Sequence, residues 1–131
     1  MAAITDLDEL LQTMSPKVQA GSYVFCTVNG MLKDYLALDP IAFFHEDEGI
    51  TLVLNKQVAQ RADLAFDGVF KLITLTVHSS LEAVGLTAAV ASKLASYGVS
   101  ANVIAAYYHD HIFIQEEKVN IAMSALAEFS D

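Results

Sequence analysis

Two stretches of the chain, IAFFHEDEGITLVL (residues 41–54) and VIAAYYHDHIFIQ (residues 103–115), share one pattern. In each, an apolar run leads to a tip of charged or histidine-bearing residues, and a second apolar run follows. Short apolar runs bounded by a polar tip read as β-hairpins. A hairpin that occurs twice, each time in similar surroundings, points to a duplicated supersecondary unit. This repeat restricts the fold more than any other feature of the chain.

The flanking text supports the duplication. Leu7, Leu10, Leu11 and Met14 recur at helical spacing behind Thr5 and Asp6, and Ser15-Pro16 should end that helix. Gly21 opens a strand over 22–28, and Asn29-Gly30 marks a turn. A short helix, roughly 56–64, follows the first hairpin. After Asp67-Gly68 the strand VFKLITLTV places Ile73, Leu75 and Val77 on one face and Thr74, Thr76 and His78 on the other. Leu86, Ala89, Val90, Leu94 and Tyr97 then form a helical apolar stripe, which Gly98 should end with a left-handed residue. Strands 100–107 and 111–115 flank Tyr108-His109-Asp110, and a last helix over 117–129 buries Val119, Ala122, Leu126 and Phe129.

These elements predict an α+β fold of two tandem units, 1–67 and 68–131, the first degenerate. The order is βαββαβ-like, with antiparallel sheets and helices on one face. The strands are too few for two complete four-stranded units. They are therefore expected to be shared between the units or supplied across a homodimer.

Net charge narrows the partners. The chain carries 7 basic and 16 acidic residues, a balance of −9, and shows no basic stripe. A phosphate backbone is bound by releasing its counterions to lysine and arginine, so nucleic acid is a poor partner, as is an anionic membrane. No apolar run approaches the roughly 18 to 20 residues of a membrane helix. The N-terminus lacks a basic region followed by an apolar core, so a cytoplasmic protein is expected. The single Cys26 lies in the apolar run YVFCTV and reads as packing material.

Chemistry concentrates at VHSSLEAVGL, residues 77–86, between a strand-like and a helix-like run. Unpaired amides at a helix N-terminus attract a carboxylate. Gly85 would let a ligand approach the backbone closely. Ser79 and Glu82 also have the spacing of a capping box, which consumes the same N–H groups without a ligand. The two roles compete. His109 and His111, at i and i+2 of a strand, point the same way, and with Asp110 and His78 they could hold a metal. A bare H-x-H at a hairpin tip reads first as solvated turn histidines. The acidic tip Glu46-Asp47-Glu48 could attract a cation but reads first as a solvated turn. Tyr107 and Tyr108 read as sheet packing or interface. No nucleophile elbow, Walker loop or zinc-helix motif is present, so no catalytic residue, cofactor or metal is assigned.

The segment LITLTVHSSLEAVGLTAAVASKLASYGVSANVIAAYYHDHIFI resembles the ACT domain, a small ligand-binding regulatory module. It is most similar to the subgroup related to the cytosolic arginine sensors and to small stand-alone bacterial proteins. The first half matches more weakly, chiefly through YVFCTV and EGITLVL. The resemblance implies ferredoxin-like units and a stand-alone, non-catalytic, homodimeric sensor that binds an amino acid. In ACT proteins amino acids commonly bind at the loop after the first strand, often at an interface between two domains. Carried onto this chain, that loop is His78, Ser79, Ser80, Leu81, Val84, Gly85 and Leu86, and the facing strand begins near Ser100, Asn102 and Val103. ACT loops often hold Pro-Gly before the helix; here Val84-Gly85 keeps the glycine and lacks the proline. Serine-sensing ACT domains place a His and an Asn in the loop and an Asn on the next strand. His78, Ser80 and either Ser100 or Asn102 occupy similar places. The second unit, rather than the degenerate first, is the expected binder. The alternatives are an interaction module that pairs with an enzyme or transporter, and a metal-dependent enzyme using His78, His109 and His111.

Overall fold

The computed structural model describes residues 6–77 and 85–130. In chain order these form α1 (Leu7–Thr13), β1 (Pro16–Val18), β2 (Tyr23–Val28), a 3-10 helix (Leu32–Leu38), β3 (Ala42–Glu46), β4 (Gly49–Asn55), α2 (Lys56–Arg61), β5 (Phe70–Leu75), α3 (Leu86–Ser96), β6 (Asn102–Ala105), β7 (Asp110–Gln115) and α4 (Val119–Ala127). Short 3-10 turns, Glu116–Lys118 and Glu128–Ser130, flank α4. The chain divides into two compact units, Gly21–Phe70 and Met1–Ala20 with Lys71–Asp131. These cut across the sequential halves 1–67 and 68–131, because α1 and β1 pack with the later residues.

In the Gly21–Phe70 unit, β4 pairs antiparallel with β2, from Tyr23↔Asn55 to Val28↔Ile50. It also pairs with β3, from Ala42↔Val53 to Glu46↔Gly49. Alternation along the strands sends Val24, Cys26 and Val28 with Ile50, Leu52 and Leu54 to one face, where Ala59 of α2 joins them in a core. Leu32, Tyr35 and Leu38 of the 3-10 helix close this core. Their spacing of three residues is the repeat of a 3-10 helix, in which i and i+3 eclipse. That helix is absent from the sequence expectation, which reads only a turn there. Phe70, the first residue of β5, pairs with Tyr23.

In the other unit the strand order is β1-β5-β7-β6. β1 pairs antiparallel with β5, from Pro16↔Leu75 to Val18↔Ile73, and β6 with β7, from Asn102↔Phe113 to Ala105↔Asp110. The fourth strand of this unit is thus supplied by the first twenty residues of the chain, which answers the short strand count. Three residues are too few to show a period, so β1 was not legible as a strand. Ile73, Leu75, Ile112 and Ile114 pack with Leu86, Val90 and Leu94 of α3, with Ala122, Ala125 and Leu126 of α4, and with Leu10 and Met14 from α1 and its C-cap. The helices cover this one face of the sheet.

Helix ends follow local chemistry. Asp6 caps α1 by accepting from the Glu9 N–H at 3.0 Å. At the end of α3, Gly98 N donates to Ala95 O (2.9 Å) and Val99 N to Leu94 O (3.0 Å), with Gly98 at φ 73°. This is the Schellman arrangement, and its flanking residues Val99 and Leu94 are both buried in the core. Tyr97 departs from the apolar stripe expected of it: it is 45% exposed and its hydroxyl donates to the Glu128 carboxylate. Phe129 is half-buried rather than enclosed, with the Lys93 ammonium 5.1 Å from its ring centre.

Candidate functional site

β5 ends at Leu75, and Thr76 and Val77 carry the chain to the start of the expected binding loop. His78, Ser79, Ser80, Leu81 and Val84 lie outside the described residues. The structure resumes at Gly85, which is the N-cap of α3 at φ 96°. L side chains rarely adopt that conformation, whereas glycine does so readily. Gly85 has no side chain of its own to cap the helix, whose first internal bond runs from Ala89 N to Gly85 O at 2.9 Å. The capping box read at Ser79 and Glu82 lies outside the described residues; the described helix begins at Leu86. A Cβ at Gly85 would stand 3.1 Å from Cδ2 of Leu7, so α1 packs closely against this corner. Leu86 is buried in the core, which leaves only its backbone for a ligand.

His109 belongs to this corner as well. Its Nδ1 lies 3.0 Å from the carbonyl of Val77, the last described residue before the loop. Two residues on, Nδ1 of His111 lies 2.9 Å from Oγ1 of Thr74. These pairs correct the reading of both histidines as solvated turn residues: each is half-buried and bonded toward β5. Burial lowers the His111 pKa from its ordinary 6.5, and the neighbouring His109 adds to that, while Asp110 opposes it. Among the described residues no group of three or more His, Cys, Asp or Glu is placed to hold a metal ion.

The same pairs place β6 relative to the loop. His109 is level with Val77 and His111 with Thr74, so β7 runs away from the loop as its numbers rise. Asn102 pairs with Phe113, further along β7, and its amide donates to the Phe113 carbonyl at 3.2 Å. Ser100 and Asn102 therefore lie toward the far end of the sheet. α3, with 11 residues, spans the gap, about 16 Å at 1.5 Å per residue. Val103 faces the core opposite Asn102, since neighbours on a strand point to opposite faces. Within one unit, then, Val77 and Leu86 share the core and His109 is bonded to Val77, while Ser100 and Asn102 lie toward the far end of the sheet. The binding residues expected from the sequence do not include His109; its signal was the H-x-H pair, which reads first as solvated turn histidines and second as a metal candidate. Exposed Tyr107 and Tyr108 flank it, their rings 5.0 Å apart.

Two α+β units, each with helices on one face of an antiparallel sheet, define a tandem ferredoxin-like protein. Models described as the ACT domain match residues 2–71 and 70–128, and the chain belongs to the ACT-domain family. ACT domains are regulatory modules that bind small molecules, often amino acids. A Vibrio cholerae protein, described as of unknown function and a possible transport protein, is 64% identical. That match covers 95% of this chain and 96% of that one, with a TM-score of 0.89. The ligand-free regulatory subunit of aspartate kinase from Thermus thermophilus is 10% identical, covering 92% of this chain and 99% of that one, at a TM-score of 0.69. An Agrobacterium tumefaciens protein is 16% identical over 88% and 87% of the two chains, also at 0.69. No curated protein matches the chain. Among the described residues no helix is long and apolar enough to cross a membrane.

Proposed function

We propose that this chain is a non-catalytic, cytoplasmic regulatory protein that binds an amino acid at the His78–Leu86 loop. Its subgroup would be that of the cytosolic arginine sensors and related stand-alone bacterial proteins. The observation that carries the reading is Gly85, a left-handed N-cap that offers no side chain of its own to the first amides of α3, the groups a carboxylate would meet. His109, bonded to Val77 at the same corner, would lie beside the ligand. Ser100, Asn102 and Val103 sit too far along the sheet to share that ligand within one unit. If they contribute, they do so from a second copy, which is why the working assembly is a homodimer. Ligand binding would then shift an interface equilibrium between two states.

Thermal unfolding measured with each of the twenty amino acids tests this reading. A ligand at a hundred times its dissociation constant adds about 2.7 kcal/mol of stability. No stabilisation by any of them at millimolar concentration would sink the proposal. A second reading, an interaction module for an enzyme or transporter, is favoured by the edge strand β3, where Phe43 and Phe44 are exposed and Ile41 precedes them exposed as well. The relative described as a possible transport protein accords with it. A stable monomer whose β3 amides exchange with solvent no more slowly when the candidate partner is added would rule that reading out.

A further inference from the structure

In the Gly21–Phe70 unit β2 and β5 share one ladder pair, Tyr23 with Phe70. Away from that pair lies a cleft of about 390 Å³, lined by Phe25, Cys26, Thr27, Thr51, Phe66 and Asp67. This volume is in the range of small-molecule sites. Three of the cleft's residues carry side-chain oxygens that can accept from a ligand. Thr51 gives its hydroxyl proton to the Glu46 carboxylate, which leaves its lone pairs for a ligand. Asp67 adds an exposed carboxylate, and Thr27 a second hydroxyl oxygen. Among the described residues no lysine, arginine or histidine lines the cleft.

The apolar walls fit the same chemistry. Phe25 is held by an edge-on contact with Phe70, centroids 5.2 Å apart at 77°, and Phe66 packs against the unit's core. Aromatic faces carry negative potential and attract cations. Cys26 is buried, and burial pushes its thiol pKa up, so it stays a neutral, apolar part of the wall. The surrounding field, with 16 acidic against 7 basic residues, also draws cations.

We infer that this cleft is a second ligand site, separate from the His78–Leu86 loop, and that it takes a small organic cation. The ammonium would meet Asp67 and the threonine oxygens, and the hydrocarbon body would lie against Phe25 and Phe66. The site stands whether or not the loop binds an amino acid.

The test is a titration of the full chain by ¹H–¹⁵N NMR with phenethylamine, and with 2-phenylethanol and 3-phenylpropionate as neutral and anionic analogues of similar shape. Saturable shifts at the amides of Phe25, Thr27, Thr51, Phe66 and Asp67 are expected with the amine. Binding should weaken about tenfold in Asp67→Asn and stay unchanged in Asp47→Asn. Glu46→Gln frees the Thr51 proton and should weaken binding less. The inference is overturned by an absence of saturable shifts at millimolar amine, by an equal response to the alcohol or the carboxylate, or by unchanged affinity in Asp67→Asn.

Discussion

Oγ1 of Thr74 sits between two partners: it accepts from the Gln19 side-chain amide at 3.0 Å and lies 2.9 Å from Nδ1 of His111. Thr74 is 3% exposed, and its hydroxyl can give its proton to His111 while it accepts from Gln19. In that arrangement Nδ1 accepts and the imidazole is neutral, the form that burial favours by lowering the His111 pKa.

Stability should therefore depend on pH through His111. Its folded pKa lies below the unfolded value, so the unfolded chain takes up a proton first as pH falls. Stability is fully present above about pH 6.5 and declines from there down to the depressed folded pKa. Urea unfolding across that window should show the slope, and His111→Gln should flatten it. Thr74→Val should cost about 1–2 kcal/mol, by leaving Gln19 and His111 without their shared partner. An unchanged unfolding midpoint in Thr74→Val would show that the chain Gln19–Thr74–His111 contributes nothing.

Gly98→Ala isolates a backbone effect. Nothing lies within 4 Å of a Cβ built at Gly98, yet its φ is 73°. The variant should lose about 1 kcal/mol through the left-handed conformation alone. Denaturant midpoints at constant slope would measure it.

Gly85→Ala joins strain to contact. The conformation at φ 96° and the 3.1 Å approach to Leu7 both oppose a methyl group. A loss of about 1–3 kcal/mol is expected. Part of it should return in Gly85→Ala with Leu7→Ala, when each is compared with its own parent in a double-mutant cycle. If the loop binds an amino acid, Gly85→Ala should weaken that binding as well, measured by calorimetry.

Tyr97, Glu128 and Lys93 form a surface cluster. The Tyr97 hydroxyl and the Lys93 ammonium both reach the Glu128 carboxylate, the latter at 3.0 Å. The bond to Glu128 raises the Tyr97 pKa from 10.0, and the bond from Tyr97 lowers that of Glu128. Glu128→Gln should return the Tyr97 phenol toward its ordinary value, visible as a difference in ultraviolet titration against Tyr97→Phe. The unfolding midpoint should hardly move, because exposed ion pairs contribute little.

Much of the fold was legible from residues alone. The alternation of Ile73, Leu75 and Val77, the stripe Leu86, Val90 and Leu94, and the stop at Gly98 all recur in the structure, because period and turn chemistry are local properties. Tyr97 escaped this logic. Its position on the stripe is right for a buried residue, but its hydroxyl finds Glu128 at the surface. Leu32, Tyr35 and Leu38 show a period of three, a weak signal because 3-10 helices of that length are uncommon.

The site was less legible. Val77 and His109 are far apart in sequence and meet only because β7 lies beside β5. Ser100 and Asn102 were matched to the loop through the ACT resemblance, which places binding residues on the strand after the helix. A helix of eleven residues instead carries them to the other end of the sheet.

By itself the sequence determined a duplicated α+β pattern, an acidic chain without a basic stripe, and a glycine where strand gives way to helix. Those follow from side-chain period, net charge and backbone freedom, which act over a few residues or over the whole composition. Only the tertiary structure decided that Pro16–Val18 completes the sheet of the later unit and that His109 stands at the Val77 carbonyl. It alone decided that Thr51 hands its proton to Glu46 beside a cleft. Strand pairing joins residues far apart in the chain, and no local pattern records which partner a strand will find.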